Sequence, residues 1–388
     1  MALETPDALK PEEIAFRDEV KAFAREEIMP LARQIDQEDR IPMELRKKIG
    51  QRGWYGLLWP REYGGSGGSI MNFCLASEQI AYASGGVGAT FNATVLCGVP
   101  ILYFGSEEQK RRFGTPLIKG ETVAGSIGIT EPDAGSDVSA LKTRAVLDGK
   151  HWVVNGKKRH IDNVGAANLL SFWAVTDPDQ EPRHRGFSTF VVERGTPGFE
   201  TQVTRYIGLK GLDCGEMHFD NARLPEENLI GGEGKGFYHI MRLFEVARTG
   251  AGGWGVGTAQ ACVDEAVAYA MNRVQFGKPI INLQAIQMMI ADMVMDLEIM
   301  RMLSYRAARF GDAGIQADRA VTATKLFCNE ALFRIANTAL QIHGANGYSE
   351  EYPVERHFRD ARSLSIGEGT TQVMKLLLTR IELKSRYA

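Results

Sequence analysis

Five short runs decide the fold: VAGSIGI (residues 123–129), WVVNG (152–156), LLSFWAV (169–175), FSTFVVE (187–193) and EMHFDNARL (216–224). They are rich in β-branched and aromatic residues and are separated by Gly, Pro, Asp and Asn, the pattern of strands closed by turns. Their spacing predicts an antiparallel sheet or barrel from about Thr122 to Leu229. On either side the period becomes helical. Ile14, Phe16, Val20, Phe23 and Ala24 recur at helical steps ahead of the strands. Behind them, AQACVDEAVAYAMNR (259–273) and LQAIQMMIADMVMDLEIMRMLSYRAARF (283–310) read as amphipathic helices, the Met-rich face of the second as bundle core. The expected fold is an α+β multidomain chain: an N-terminal helical domain (1–121), a middle antiparallel β-barrel or sheet domain (122–230) and a C-terminal four-helix bundle (231–388). There is no internal repeat and no low-complexity segment.

Composition narrows the function classes. The 388 residues are enough for two or three packed units. A hydrophobic content of 44%, with 24% charged residues and a net charge of -3, gives no reason to expect nucleic acid or an anionic membrane as partner. MALETPDALKPEEIAF carries no basic segment followed by an apolar core, so no signal peptide is expected. No apolar run approaches the roughly 20 residues that span a bilayer. Cys74, Cys97, Cys214, Cys262 and Cys328 lie far apart, without zinc or redox spacing, and read as reduced thiols of a cytoplasmic protein.

Several motif matches fail on context. Gly64, Ser66 and Gly68 match a nucleophile elbow, but their flanks are polar loop rather than strand and helix. Gly250, Gly252 and Gly255 match a dinucleotide fingerprint, but no βαβ unit surrounds them, so close helix packing is the expected role. The seven His form no metal-binding cluster, and His343 reads as a packed or exposed histidine. GSIGITEPDAGSD (125–137) runs from a strand into a turn rich in amides and hydroxyls. Such a turn can bind a heteroaromatic ring or a phosphate, and reads equally well as a plain β-turn.

The stretch QIHGANGYSEEYPVERHFRDARSLSIGEGTTQVMKLLLTR (341–380) sets Glu368 between Gly367 and Gly369, which allow a sharp bend and close approach of a ligand to the main chain. By itself this is a solvated loop carboxylate. Its wider context is different. TEPDAGSD (130–137), RVQFGKPI (273–280), QIHGANGY (341–348) and EGTTQ (368–372) resemble the signatures of the acyl-CoA dehydrogenase family, in the family's order and spacing and across essentially the whole chain.

That resemblance implies FAD, an acyl-CoA thioester oxidised at its Cα–Cβ bond, and Glu368 as the base that takes the α-proton. Such a base must be held close and partly desolvated so that its basicity rises. Some members carry the base beside the arginine that corresponds to Arg248; Ala247 stands there here. The resemblance places the substrate carbonyl on the base's own N–H and on a flavin ribityl hydroxyl. It further implies cofactor contacts from Ile127, Ile129, Thr130, Ser136, His160, Asp162, Gln284, Ala345, Thr370 and Gln372. Arg273, Gln275, Gln341 and Gly344 would meet the FAD of a neighbouring subunit. Ser136, Glu245, Arg248, Gly369 and Arg380 match substrate-side positions, where arginine suits a CoA phosphate. A shared site implies an oligomer, commonly a homotetramer, and an electron-transfer flavoprotein as acceptor.

Two departures stand out. His160 and Asp162 occupy positions where the family usually has Trp and Thr beside the flavin; Asp162 would disfavour an anionic reduced flavin if ionised, or donate a proton if neutral. Ala345 replaces a glycine. Gly367, Gly250 and Ala251 are smaller than their usual counterparts and Trp254 is larger, which suggests a wide, shallow pocket for a compact branched or cyclic acyl group. A same-fold enoyl-CoA reductase, an oxygen-reacting oxidase and a non-catalytic flavoprotein subunit are the competing readings.

Overall fold

The structure, a computed structural model, describes residues 9–122, 125–315 and 317–387. Val123 and Ala124 of the first strand run, and the first eight residues read for a targeting signal, lie outside the described residues. The chain opens with helices α1 (Pro11–Phe23), α2 (Ala32–Glu38), α3 (Met43–Gln51), α4 (Ile70–Ala83), α5 (Gly85–Phe104), α6 (Glu107–Gln109) and α7 (Thr115–Ile118). Serines begin the two central ones: Ser69 Oγ accepts from the Asn72 amide and Ser84 Oγ from that of Val87, satisfying donors that a helix N-terminus leaves free. The Gly64–Gly68 segment is a loop leading into α4, with no strand before it.

One expectation fails in α5. Its 20 uncharged residues are long and apolar enough to cross a membrane by length and composition, although no such run was expected from the sequence. Interspersed Gly, Thr and Asn disguise it. Thr94 Oγ1 bonds the Thr90 carbonyl and Asn92 Oδ1 accepts from Ser77 Oγ, while Thr90 Oγ1 is buried without a partner, and 83% of the helix's apolar window is buried.

The middle of the chain is an eight-stranded sheet, ordered β6-β7-β3-β2-β4-β5-β8, with β1 beside β4. The strands are β1 (Gly125–Gly128), β2 (Arg144–Asp148), β3 (His151–Ile161), β4 (Leu169–Val175), β5 (Phe187–Glu193), β6 (Phe199–Val203), β7 (Gly215–Pro225) and β8 (Leu229–Ile230). Most pairs are antiparallel, as the turn spacing predicts. β1 instead runs parallel to β4, from Gly125↔Leu169 to Gly128↔Phe172, and β2 touches β4 in parallel at Arg144↔Val175. The β2–β3 hairpin intervenes between β1 and β4, and a connection of that length permits a parallel pair. All seven residues of β4 are buried: Leu170, Phe172 and Ala174 enter the sheet's own core, while Leu169, Trp173 and Val175 join the core of the N-terminal helices.

The C-terminal part comprises α8 (Gly236–Asn272), a hairpin of β9 (Val274–Gln275) and β10 (Lys278–Pro279), α9 (Gln284–Asp312), α10 (Asp318–His343), α11 (Val354–Leu364) and α12 (Thr371–Tyr387). The glycines of α8 set its packing. A Cβ at Gly250 would lie 2.6 Å from the Phe73 ring, at Gly253 2.3 Å from the Cys74 carbonyl, and at Gly257 2.0 Å from the Glu78 carbonyl. Close approach of α4 to α8 is therefore what the small residues provide. The Met-rich helix α9 divides its methionines: Met293 and Met300 are core, whereas Met288, Met295 and Met302 face outward. The expectation of one buried face is corrected, because the apolar positions follow two stripes.

Beneath β1, Glu131 and Lys158 form a buried ion pair at 2.7 Å. Glu131 also accepts from the amides of Lys142 and Thr143, and Lys158 Nζ donates to the Ile129 carbonyl. Burial alone would raise the Glu131 carboxyl, but the Lys158 charge and these bonds hold it below its usual range; burial draws the Lys158 ammonium down to about 8. Removing one partner strands a buried charge, at a cost of about 3–5 kcal/mol. Lys158→Met is expected to lose that much in urea denaturation, and Lys158→Met/Glu131→Gln to recover part of it; full additivity of the two losses would show that the pair is not coupled.

Candidate active site

The residues from Ser365 to Thr370 bridge α11 and α12. Amides of Ile366 and Gly367 bond back to the Ser363 carbonyl, the Thr371 amide donates to the Ser365 carbonyl at 3.2 Å, and Thr370 Oγ1 caps α12 by accepting from the Val373 amide. The bend differs from the expectation in one respect. Gly369 has φ +104° and Glu368 itself has φ +55°, while Gly367 stays out of the left-handed region. A non-glycine residue in that region costs about 1–3 kcal/mol and persists where its surroundings impose it.

Glu368 is half-buried, and its Oε2 is sealed from solvent without a hydrogen-bond partner. Burial, with the negative charge of Asp162, pushes its carboxyl up to about 7; Lys325 and Arg248 pull the other way. The amides of Glu368 and Gly369 donate to no acceptor among the described residues. A desolvated carboxylate therefore sits beside two free N–H groups, an arrangement able to take a proton next to a carbonyl and hold the developing oxyanion.

Facing this loop is the end of β3. The register shifts between Arg159 and Ile161, and His160 and Asn163 both have φ +59°, a bulge that re-aims the side chains between them. Asn163 anchors it, donating to the carbonyls of Thr90 and Gly125 while accepting from Arg46. His160 Nδ1 lies 2.8 Å from Tyr206 Oη. Asp162 is half-buried, and burial pushes its carboxyl up to about 6. The Cys214 thiol beside it is driven well above its usual range by burial and by the Asp162 charge. Tyr206 and Cys214 carried no motif, so only the folded chain reveals them.

The other candidates divide into two groups. Ile127 lies in β1, Ile129 and Thr130 follow its end towards exposed Ser136, and Thr370 and Gln372 lie at the start of α12. Arg248 stacks on Phe244 at 5.2 Å with its Nε unpartnered, Glu245 pairs with Arg242 at 2.6 Å, and Arg380 is exposed on α12. Arg273, Gln275, Gln284, Gln341, Gly344 and Ala345 gather instead where α8 and α10 end. There Tyr269 stacks on His343 at 4.2 Å and accepts from Asn346 Nδ2. At 1.5 Å per residue this cluster lies roughly 24 Å along α10 from Lys325, so one chain does not bring it to Glu368. His343 is a packed histidine, its Nδ1 on the Ala339 carbonyl. The room expected at Gly250 is taken by the Phe73 ring; at Gly367 it is open, with only the Ser363 carbonyl near, at 3.6 Å. A cleft of about 640 Å³ between α1, α4, α8 and α9 is lined by none of these candidates.

The donor set suits FAD. Thr130, Ser136, Arg273, Gln284, Gln341 and Gln372 offer hydroxyls, amides and a cation that make no side-chain bond among the described residues. Neutral donors and acceptors match a flavin ring, and a cation matches a pyrophosphate.

Three family models match the chain: acyl-CoA dehydrogenase N-terminal domain over residues 10–121, middle domain over 126–222 and C-terminal domain over 234–383. An acyl-CoA dehydrogenase of Bacillus subtilis is 40% identical over 371 residues, covering 95% of this chain and 97% of its own. Among solved structures, butyryl-CoA dehydrogenase from Megasphaera elsdenii superposes with a TM-score of 0.93 at 35% identity, covering 97% of this chain and 99% of the other. A chain in a structure of the electron transferring flavoprotein of Acidaminococcus fermentans gives 0.94 at 35% identity, with coverage of 97% and 99%. Fold and site define an oxidoreductase of the flavoprotein class. The chain belongs to the acyl-CoA dehydrogenase family, whose FAD-dependent members act on the CH–CH bond of acyl-CoAs.

Proposed function

We propose that the chain oxidises the Cα–Cβ bond of a compact acyl-CoA, with Glu368 as the base, and passes the electrons to an electron-transfer flavoprotein. The observation that carries this reading is the buried, unpartnered Oε2 of Glu368 beside free main-chain donors. The thioester carbonyl, bound by the Glu368 amide, acidifies the α-hydrogen; the carboxylate accepts that proton and becomes neutral. The chemistry FAD supplies when bound is acceptance of two electrons together with the β-hydrogen, leaving an α,β-unsaturated thioester. Ile127, Ile129, Thr130, Ser136, Thr370 and Gln372 would hold the ring, and Arg248 and Arg380 the substrate side. Ala247 is fully buried and offers no alternative base on α8.

A compact acyl group is supported from two sides. Gly367 leaves open space next to the base. Depth is limited by Phe73 against Gly250 and by Trp254, buried and pinned through Nε1 to the Gly85 carbonyl at 2.8 Å. The separate cluster at the ends of α8 and α10 supports a cofactor site shared between copies, hence an oligomer, and membership of the family supports a homotetramer. Exposed apolar groups on the same domain fit a second copy: Phe276 is 88% exposed, Met288 64% and Met295 61%. Buried, free Cys74, Cys97, Cys262 and Cys328 accord with a reducing, cytoplasmic location. A second reading, turnover in the reducing direction or with oxygen, is favoured by Asp162, an acid whose carboxyl burial pushes up to about 6, at a position where the family usually has Thr. Oxygen uptake with peroxide release during turnover would identify the oxidase.

Glu368→Gln is expected to retain FAD and acyl-CoA but to slow anaerobic bleaching of the flavin by about three to four orders of magnitude. Normal bleaching in that variant removes Glu368 from the mechanism. In the wild type the base must be ionised, so the bleaching rate should climb with pH through about 7 and then level off. Across an acyl-CoA panel, compact branched or cyclic groups should bleach fastest, whereas fast reduction by long straight chains alone contradicts the pocket shape. Light scattering should give a tetramer, and Met288→Glu/Met295→Glu a smaller species with less bound FAD.

A further inference from the structure

Lys325 is fully buried on α10, yet its ammonium meets no carboxylate among the described residues. It donates to Asn329 Oδ1 at 2.8 Å and to the Leu364 carbonyl at 2.6 Å. Leu364 is the last residue of α11, four before Glu368. The same face of α10 grips the rest of the loop: Ser365 Oγ donates to the Asn329 carbonyl at 3.0 Å, and Thr371 Oγ1 to Glu330 at 2.8 Å. Both ends of the base's loop are thus bound to one helix, whose only cation at the contact is buried.

A buried ammonium without a paired carboxylate needs an opposite charge elsewhere, and Glu368 is the main one it feels. The charged and titratable groups facing Glu368 are Lys325 from α10, Arg248 from α8 and Asp162 from the end of β3. Those facing Lys325 are Glu368, Arg248 and the Cys328 thiol, and Arg248 in turn feels Glu245 and Asp318. We propose that Lys325 is a positioning residue for the base: it ties down the loop through Leu364 and supplies the buried positive charge that keeps Glu368 ionised, a role that rests on the assignment of Glu368 above. Once Glu368 has taken a proton, Lys325 loses its counter-charge. That imbalance favours release of the proton and resets the base.

The test measures Glu368 directly and independently of turnover. Infrared difference spectra between the FAD-loaded protein and its Glu368→Gln variant isolate the Glu368 carboxylate stretch, which is followed against pH. Its midpoint is expected near 7. Lys325→Gln keeps a donor for Leu364 but no charge, and should move the midpoint up by about one to three units. The pH profile of flavin bleaching should move with it, and Lys325→Arg should restore both. An unchanged midpoint in Lys325→Gln overturns the proposal. So does loss of soluble protein in both Lys325→Gln and Lys325→Met when Lys325→Arg folds, since the residue would then serve folding alone. Normal bleaching by Glu368→Gln with a shifted infrared midpoint in Lys325→Gln would instead sink the base assignment and leave the charge coupling standing.

Discussion

Close contact between α4 and α8 is the constraint on which the rest of the molecule depends. Backbone carbonyls of Cys74 and Glu78 sit where side chains of α8 would otherwise be, so even a methyl group at Gly253 or Gly257 would force the helices apart. The 37 residues of α8 reach from the sheet, through the N-terminal helices, into the C-terminal bundle. Arg248 and the far cluster at Arg273 therefore lie on one rod. The same packing sets the Phe73 ring against Gly250 in the segment of α8 that follows Arg248, a few residues before Trp254.

On that frame the loop that carries Glu368 combines two unfavourable features. Its backbone is held in a region that side chains disfavour, and its carboxylate is desolvated without a direct partner. Desolvation raises basicity; nearby cations keep the raised group from staying neutral throughout the working range. The balance differs from that of Glu131, which shares burial but has Lys158 and two amides in direct contact and is held ionised. Two buried carboxylates of one chain thus take opposite characters from their neighbours. The Glu131 pair, through the bond of Lys158 Nζ to the Ile129 carbonyl, ties down the chain just after β1.

The layered fold was legible because its periodicities are strong. Strand runs bounded by Gly, Pro and Asp, and helices of unambiguous period, each appear where local preference put them. The parallel β1–β4 pair was not legible, since pairing direction depends on how distant segments dock rather than on either segment. The uncharged α5 escaped notice because Thr and Asn interrupt its apolar run. At the site, Glu368 stood out by its glycine neighbours, but Glu368 itself joins Gly369 at positive φ while Gly367 does not, a fact invisible in residue type. Lys325, Tyr206 and Cys214 belong to no motif. Each matters through contacts more than 30 residues away in sequence, or through a charge felt across the core.

The distance between Glu368 and the cluster at the ends of α8 and α10 has a consequence at the level of mixed assemblies. Under the proposed shared site, each chain contributes its base to one centre and its distal cofactor contacts to another. A chain defective only at Glu368 and a chain defective only at Arg273 and Gln341 would then be inactive apart yet partly active when co-assembled, because some centres receive an intact half from each. Dilution would act against this, since subunit exchange and loss of FAD would follow from the same mass action.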